Sequence, residues 1–182
     1  MESVESIRKH IPNSFIVLID ATDPGNVAQN LITMVDVYCD ASKNQEIVES
    51  VAKHKSLGEF ILTNAALDVI KSRQIVVDRI FKLSGRYHLT SNFNINDFPA
   101  NKFTFKKTDN CVHTTLYSIN AKHIDFYQQL LKHCAIELQA VDGRSDIEHL
   151  LYYHMHPHVN DVNWIDVLNV EGFISHGPLY TA

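Results

Sequence analysis

Apolar positions along the chain alternate between continuous runs and helical repeats, a pattern that predicts strands and helices in turn. Residues 15–19 are apolar throughout, so we expect a parallel strand buried on both faces there. A helix is predicted over residues 2–10, and Pro12 and Asn13 are expected to terminate it. Further helices are predicted at 26–34, 45–54, 57–72, 121–138 and 145–155, and further strands at 35–39, 75–83, 103–105, 111–119 and 167–175.

This alternation predicts a layered α/β fold with a mixed, mostly parallel sheet flanked by helices. No internal repeat, low-complexity segment or linker interrupts the pattern, so a single domain over residues 1–182 is expected. Residues 92–110 are rich in Asn, Asp and Lys and contain Pro99, which favours a loop around the short strand at 103–105.

Composition narrows the function classes. The chain has 182 residues, 45% of them hydrophobic and 20% charged, which is enough to bury a core. Its formal net charge is -5 and the charges are scattered, whereas nucleic-acid binders usually carry a basic face. We therefore expect no nucleic-acid partner.

The cysteines and the first residues predict the compartment. Cys39, Cys111 and Cys134 are odd in number and widely spaced, so they predict buried thiols rather than disulfides or a metal knuckle. The first five residues are polar and acidic, unlike a signal peptide, and no apolar run approaches the ~20 residues of a membrane span. A cytoplasmic protein without a membrane span is expected.

Residues 79–87 hold the strongest candidate for binding chemistry. Lys82, Ser84, Gly85 and Arg86 come where an apolar strand ends. Open α/β sheets bind ligands at such ends, Arg and Lys bind phosphate or carboxylate, and Gly lets a ligand approach the backbone. This predicts an anion site. The competing interpretation is a strand flanked by solvated charges, with Gly85 making a turn.

Two carboxylates are candidate catalytic residues. Asp20 follows the first buried strand, where it can face a ligand or simply cap a turn. Glu148 can act as a general base, but Ser145, Asp146 and Glu148 also have the spacing of a capping box.

The histidines at 149, 154, 156 and 158 do not have metal-ligand spacing. His149 and His154 are five positions apart and do not share a helix face, and Pro157 constrains His156. A polar helix end is favoured, and no metal site is predicted.

Several short segments together resemble a group of bacterial and viral glycosyltransferase-like proteins with the nucleotide-diphospho-sugar transferase (GT-A) fold. The matching segments are 6–13, 15–20, 55–59, 81–87, 147–149 and 170–172. The resemblance implies a transferase that moves a sugar from a nucleotide-sugar donor to a glycan or other hydroxyl acceptor. It also assigns Lys55 and Gly58 to substrate binding, and it implies that the chain begins after the first strand of that fold.

The chain departs from many such transferases in having no Asp-x-Asp pair, which holds Mg²⁺ or Mn²⁺ against the departing diphosphate. Lys82 and Arg86 are expected to supply that positive charge instead, so no cofactor is predicted, although a divalent metal stays possible. Two alternatives remain open. One is a non-catalytic relative that binds a sugar nucleotide, a glycan or a protein partner, and the other is a different phosphate-binding α/β enzyme, such as a small hydrolase.

Overall fold

The protein is represented by a computed structural model that describes residues 2–23, 25, 27, 29–140, 146–173 and 179–181. The described helices are α1 (Glu2–His10), α2 (Gln29–Met34), α3 (Gln45–Lys53), α4 (Lys55–Ser72), α5 (Ile124–Ala140) and α6 (Ile147–Met155). The described strands are β1 (Val17–Asp20), β2 (Val37–Asp40), β3 (Arg79–Leu83), β4 (Tyr87–Leu89), β5 (Phe103–Thr108), β6 (Cys111–Val112), β7 (Leu116–Asn120), β8 (Val162–Ile165), β9 (Val170–Phe173) and β10 (Leu179–Thr181).

Internal contacts divide the chain into two compact units. The helical unit comprises Phe15–Val76 and His123–Leu150, and the sheet unit comprises Met1–Ser14, Val77–Lys122 and Leu151–Ala182. Both units are built from segments that are discontinuous in sequence. The expected single domain over residues 1–182 stays a prediction.

The helical unit contains a small parallel sheet. Strands β1 and β2 pair in parallel, with Val17 beside Val37 and Asp20 beside Asp40. Helix α4 packs against α3, α5 and β1. The buried apolar side chains of this unit come from α3, α4 and α5, for example Ile47, Phe60 and Leu131. The parallel strand predicted at 15–19 is confirmed in direction, although β1 is half-buried along its length.

The sheet unit contains a mixed five-stranded sheet and an antiparallel three-stranded sheet. In the larger sheet the order is β3, β7, β5, β6, and β8 pairs with β5 in parallel. The smaller sheet has the order β10, β9, β4. Helix α1 packs on β4 and ends as predicted, with Asn13 in a left-handed conformation at φ 65°. One hydrophobic core cluster contains Tyr87, Leu89, Phe93, Phe98, Leu116, Leu168 and Val170.

The α/β class is confirmed, but the expectation of a mostly parallel sheet is wrong. Within the described residues only the pairs β1–β2 and β5–β8 are parallel, while the other pairs are antiparallel. The reason is that β3 to β7 follow one another without an intervening α-helix. Short connections of this kind join antiparallel strands, whereas parallel strands need a long crossover.

Several element boundaries also differ from those predicted. The strand expected at 111–119 is two strands, β6 and β7, and strands β4, β8 and β10 were not predicted. The predicted loop 92–110 contains the whole of β5, which is longer than the short strand predicted at 103–105, and a 3₁₀ turn at Ile95–Asp97. The predicted helix start at residue 26 and the strand end at 174–175 lie outside the described residues. In the part of the chain that the structure describes, no helix has the length and apolar character needed to cross a membrane.

Candidate functional site

The predicted anion site is a tight turn between β3 and β4 in the sheet unit. The Ser84 amide donates to the Thr115 carbonyl oxygen at 2.9 Å, and the Tyr87 amide donates to the Ser84 carbonyl oxygen at 3.0 Å. These bonds fix the turn at both ends. The structure thus brings Lys82, Ser84, Gly85 and Arg86 together at the end of a strand, as the sequence predicts.

Lys82 is held by neighbouring protein groups. Its Nζ donates to the Ser84 Oγ at 2.9 Å and to the Thr114 carbonyl oxygen at 2.5 Å. The same ammonium lies 5.6 Å from the centre of the Tyr117 ring, and Tyr117 is fully buried. Lys82 therefore fixes the turn in addition to placing a positive charge beside it.

Arg86 is exposed to solvent at the tip of the turn. Within the described residues its guanidinium makes no recorded hydrogen bond or ion pair, and neither Asp78 nor Asp97 pairs with it. By contrast, Arg79 of the same segment donates from NH1 to the Ile95 carbonyl oxygen at 2.8 Å, and burial lowers its pKa. Arg86 is thus the cation of this segment that is available to a ligand.

Open space lies on the side of Gly85 where a side chain would attach. A Cβ built on this residue would meet no atom within 4 Å, and the Gly85 carbonyl oxygen accepts a hydrogen bond from the Ser3 Oγ of α1 at 3.0 Å. The turn is therefore anchored by α1 on one side while a ligand can approach its backbone on the other.

Gly172 of β9 supports this turn, a role that the sequence did not indicate. A Cβ on Gly172 would lie 2.3 Å from the Arg86 carbonyl oxygen and 2.6 Å from the Tyr87 Cδ1. Only glycine permits this close approach of β9 to β4. The resemblance includes residues 170–172, but the packing reason for Gly172 depends on strand pairing that a sequence does not show.

The remaining predicted site residues belong to the helical unit, and Asp20 is the first of them. Its Oδ1 accepts a hydrogen bond from the Thr22 amide at 2.7 Å, so it caps the turn after β1. Asp40 ends β2 in register with it and accepts from the Ser42 amide at 3.0 Å and the Ser42 Oγ at 2.5 Å. The hydrogen bond from Ser42 lowers the pKa of Asp40. The rule that singled out Asp20 would also have identified Asp40.

The charges of these two carboxylates also act on the hydroxyl of Tyr38. Burial, followed by the charges of Asp40 and Asp20, raises the Tyr38 pKa. The hydroxyl itself is buried and has no hydrogen-bond partner among the described residues. The carboxyl ends of β1 and β2 therefore carry an acidic edge that does not favour anions.

Lys55 and Gly58 lie in the first turn of α4. Lys55 is exposed, whereas a Cβ on Gly58 would lie 2.8 Å from the Val51 Cα of α3. The close packing of the two helices therefore accounts for a glycine at this position. A substrate role for either residue stays a prediction.

Glu148 is half-buried in the first turn of α6. The cap of this helix is Asp146, whose Oδ1 accepts from the His149 amide at 2.9 Å and lies 2.8 Å from the His149 Nδ1. Ser145, the other half of the predicted capping box, lies outside the described residues. The role of Glu148 as a general base stays a prediction.

A surface pocket of about 420 Å³ in the helical unit contains none of these predicted site residues. It is lined by polar side chains of α3 together with Leu57 and Gln139.

Comparison with protein-family models, with curated proteins and with solved structures gave no match.

Proposed function

We propose that this protein is glycosyltransferase-like and transfers a sugar from a nucleotide-sugar donor to a hydroxyl acceptor. The observation that carries the proposal is the turn at Ser84, Gly85 and Arg86. It presents an exposed guanidinium with no recorded partner in the described chain, beside open space at Gly85. The planar fork of an arginine side chain can bind two oxygens of a doubly charged diphosphate at once.

The chemistry of the transfer explains why such a turn is useful. The bond between the anomeric carbon and the diphosphate oxygen breaks, and the diphosphate leaves with the electron pair. Fixed positive charge stabilises the negative charge that develops on it. Arg86 would bind the diphosphate directly, and Lys82 would add a second charge close to the turn.

The acceptor half of the reaction needs a base. The acceptor oxygen bonds to the anomeric carbon and loses its proton, which we assign to the carboxylate of Glu148. Asp20 is the candidate carboxylate for the donor. Both residues belong to the helical unit, and both assignments rest on the resemblance and on position along the chain.

A second candidate function is binding of a sugar nucleotide or glycan without catalysis. One observation favours it: the carboxylate of Asp20 already caps a turn. This alternative keeps the role of Arg86 and removes those of Asp20 and Glu148.

Calorimetric titration with UDP and GDP, with and without Mn²⁺, tests the donor site. We expect binding that does not require metal. Arg86→Lys should weaken it by about 1–3 kcal/mol, because lysine cannot form the bidentate contact, while the melting temperature stays nearly unchanged. Arg73→Lys is the matched control, since Arg73 is also exposed but lies in the helical unit.

Each result separates the hypotheses. Absence of heat with either nucleotide would refute the donor site, and equal affinity of Arg86→Lys and the parent would remove Arg86 from it. Binding that requires Mn²⁺ would point to a carboxylate site instead. Release of UDP or GDP from nucleotide sugars in the presence of acceptors distinguishes the transferase from the non-catalytic binder.

A further inference from the structure

We infer that the sheet unit carries a second binding site, formed by Trp164 and Tyr152, that stacks on the face of a neutral sugar ring in a glycan. Trp164 lies on β8, which pairs with β5 alone among the described strands and is therefore an edge strand. Strands β7 and β5 separate it from β3 and the Arg86 turn. The site is thus distinct from the proposed donor site and does not rest on it.

The two rings form a tilted pair at the surface. Their centres are 5.9 Å apart and their planes make an angle of 53°, and both side chains are half-buried. Fully buried Phe105 lies beside Trp164 on the neighbouring strand β5, with ring centres 6.2 Å apart. A supported but partly exposed aromatic pair offers a rigid apolar face at low entropic cost.

The polar ends of both rings have hydrogen-bonding capacity that the described residues leave unused. Among the described residues neither the Trp164 Nε1 nor the Tyr152 hydroxyl makes a recorded hydrogen bond, and neither atom is buried without a partner. Tyr and Trp polar groups find protein partners when they are buried, so these two are available to a ligand. Apolar faces with hydrogen-bonding edges match the faces and hydroxyls of a sugar ring.

The surrounding charge favours a neutral ligand. Lys107 lies 5.1 Å from the centre of the Tyr152 ring, and the His156 ring is 5.1 Å from it. Exposed Asp161 and Asp166 flank β8, and the whole chain has a formal charge of -5. Nucleic-acid sites that stack bases on aromatic rings combine them with a positively charged groove, which this local balance does not supply.

Trp164 is the single tryptophan of the chain, so its fluorescence reports on this site directly. The full chain is titrated with soluble hexasaccharides of glucose, xylose, mannose and N-acetylglucosamine. A single-stranded oligonucleotide serves as the competing ligand class. We expect a saturable change in emission with at least one hexasaccharide, and none with the oligonucleotide. The hexasaccharide titrations contain no UDP, GDP or nucleotide sugar, so failure of the donor site cannot affect their result.

Variants then test the assignment. Tyr152→Ala should weaken glycan binding by roughly tenfold. Tyr153→Ala, the next residue on α6 and 72% exposed, should leave it unchanged. Trp164→Phe, followed by calorimetry, keeps a packed ring and should also weaken binding, which decides the matter if Tyr152→Ala fails to fold. The proposal is overturned if no hexasaccharide changes the emission, if the oligonucleotide binds instead, or if Tyr153→Ala weakens binding as much as the site variants.

Discussion

At the residue scale, three cations within eight positions have different environments. Arg79 donates to the Ile95 carbonyl oxygen, Lys82 donates to Ser84 and to the Thr114 carbonyl oxygen, and Arg86 faces solvent. The sequence predicts that they cluster, because they share one strand and its end. It does not predict which one is available, because the partners come from residues up to 32 positions away.

Alanine substitution of two glycines near Arg86 should have different effects on the free energy of unfolding. Gly85→Ala should change the free energy of unfolding by no more than about 0.5 kcal/mol, because the added Cβ meets open space. Gly172→Ala should destabilise the protein by about 1–3 kcal/mol, because its Cβ would lie 2.3 Å from the Arg86 carbonyl oxygen. Urea unfolding of both variants measures these changes.

The same pair tests the ligand. If UDP approaches the Gly85 backbone, Gly85→Ala loses affinity while it keeps its stability. A stable Gly85→Ala protein with the affinity of the parent would show that the ligand does not contact this part of the turn. A Gly172→Ala protein as stable as the parent would contradict the packing described for β9 and β4.

At the element scale, the sequence predicts helices better than strands. The predicted bounds of α1 agree with those observed, and those of α3, α4 and α5 agree within about three residues at each end, because their apolar positions recur at helical spacing. The three unpredicted strands β4, β8 and β10 have only three or four residues each. Strands β1 and β2 are as short, but they lie in apolar or alternating segments of five residues, whereas pairing with other strands determines β4, β8 and β10.

Close packing of α3 and α4 gives a second prediction. Gly58→Ala should destabilise the protein by about 1 kcal/mol or more, because a Cβ 2.8 Å from the Val51 Cα must push the helices apart. The free-energy cost of this close contact must therefore exceed the gain in helix propensity from Gly to Ala, which is about 0.8–1 kcal/mol at most. Thermal unfolding followed by circular dichroism measures the change.

Nucleotide affinity separates the two roles of Gly58. If the glycine is present for packing alone, UDP affinity of the folded Gly58→Ala protein equals that of the parent. A loss of affinity without a loss of stability would support the substrate-binding role that the resemblance implies, and would contradict the packing explanation.

At the scale of the whole molecule, the two halves of the sequence follow different rules. From β1 to β2 a helix separates the strands, and the pair is parallel as predicted. From β3 to β7 no α-helix intervenes, and the strands pair antiparallel. The predicted elements include no helix between residues 72 and 121, so the antiparallel pairing of these strands could have been predicted from the sequence. The parallel placement of β8 beside β5 was not, because it joins residues about sixty positions apart.

The discontinuous helical unit allows a test of the single-domain prediction. Residues 15–76 alone lack α5, which packs against α4 and contributes fully or almost fully buried Tyr127, Leu131 and Cys134. We expect this fragment to unfold without cooperativity, because the face of α4 that α5 covers is left in water. Joining residues 15–76 to 123–150 through a Gly/Ser linker restores α5 and should give a cooperative urea transition followed by circular dichroism. Leu131→Asp in the joined chain is the control and should abolish that transition. A joined chain without a transition would instead show that the helical unit needs the sheet unit to fold, as a single domain over residues 1–182 requires.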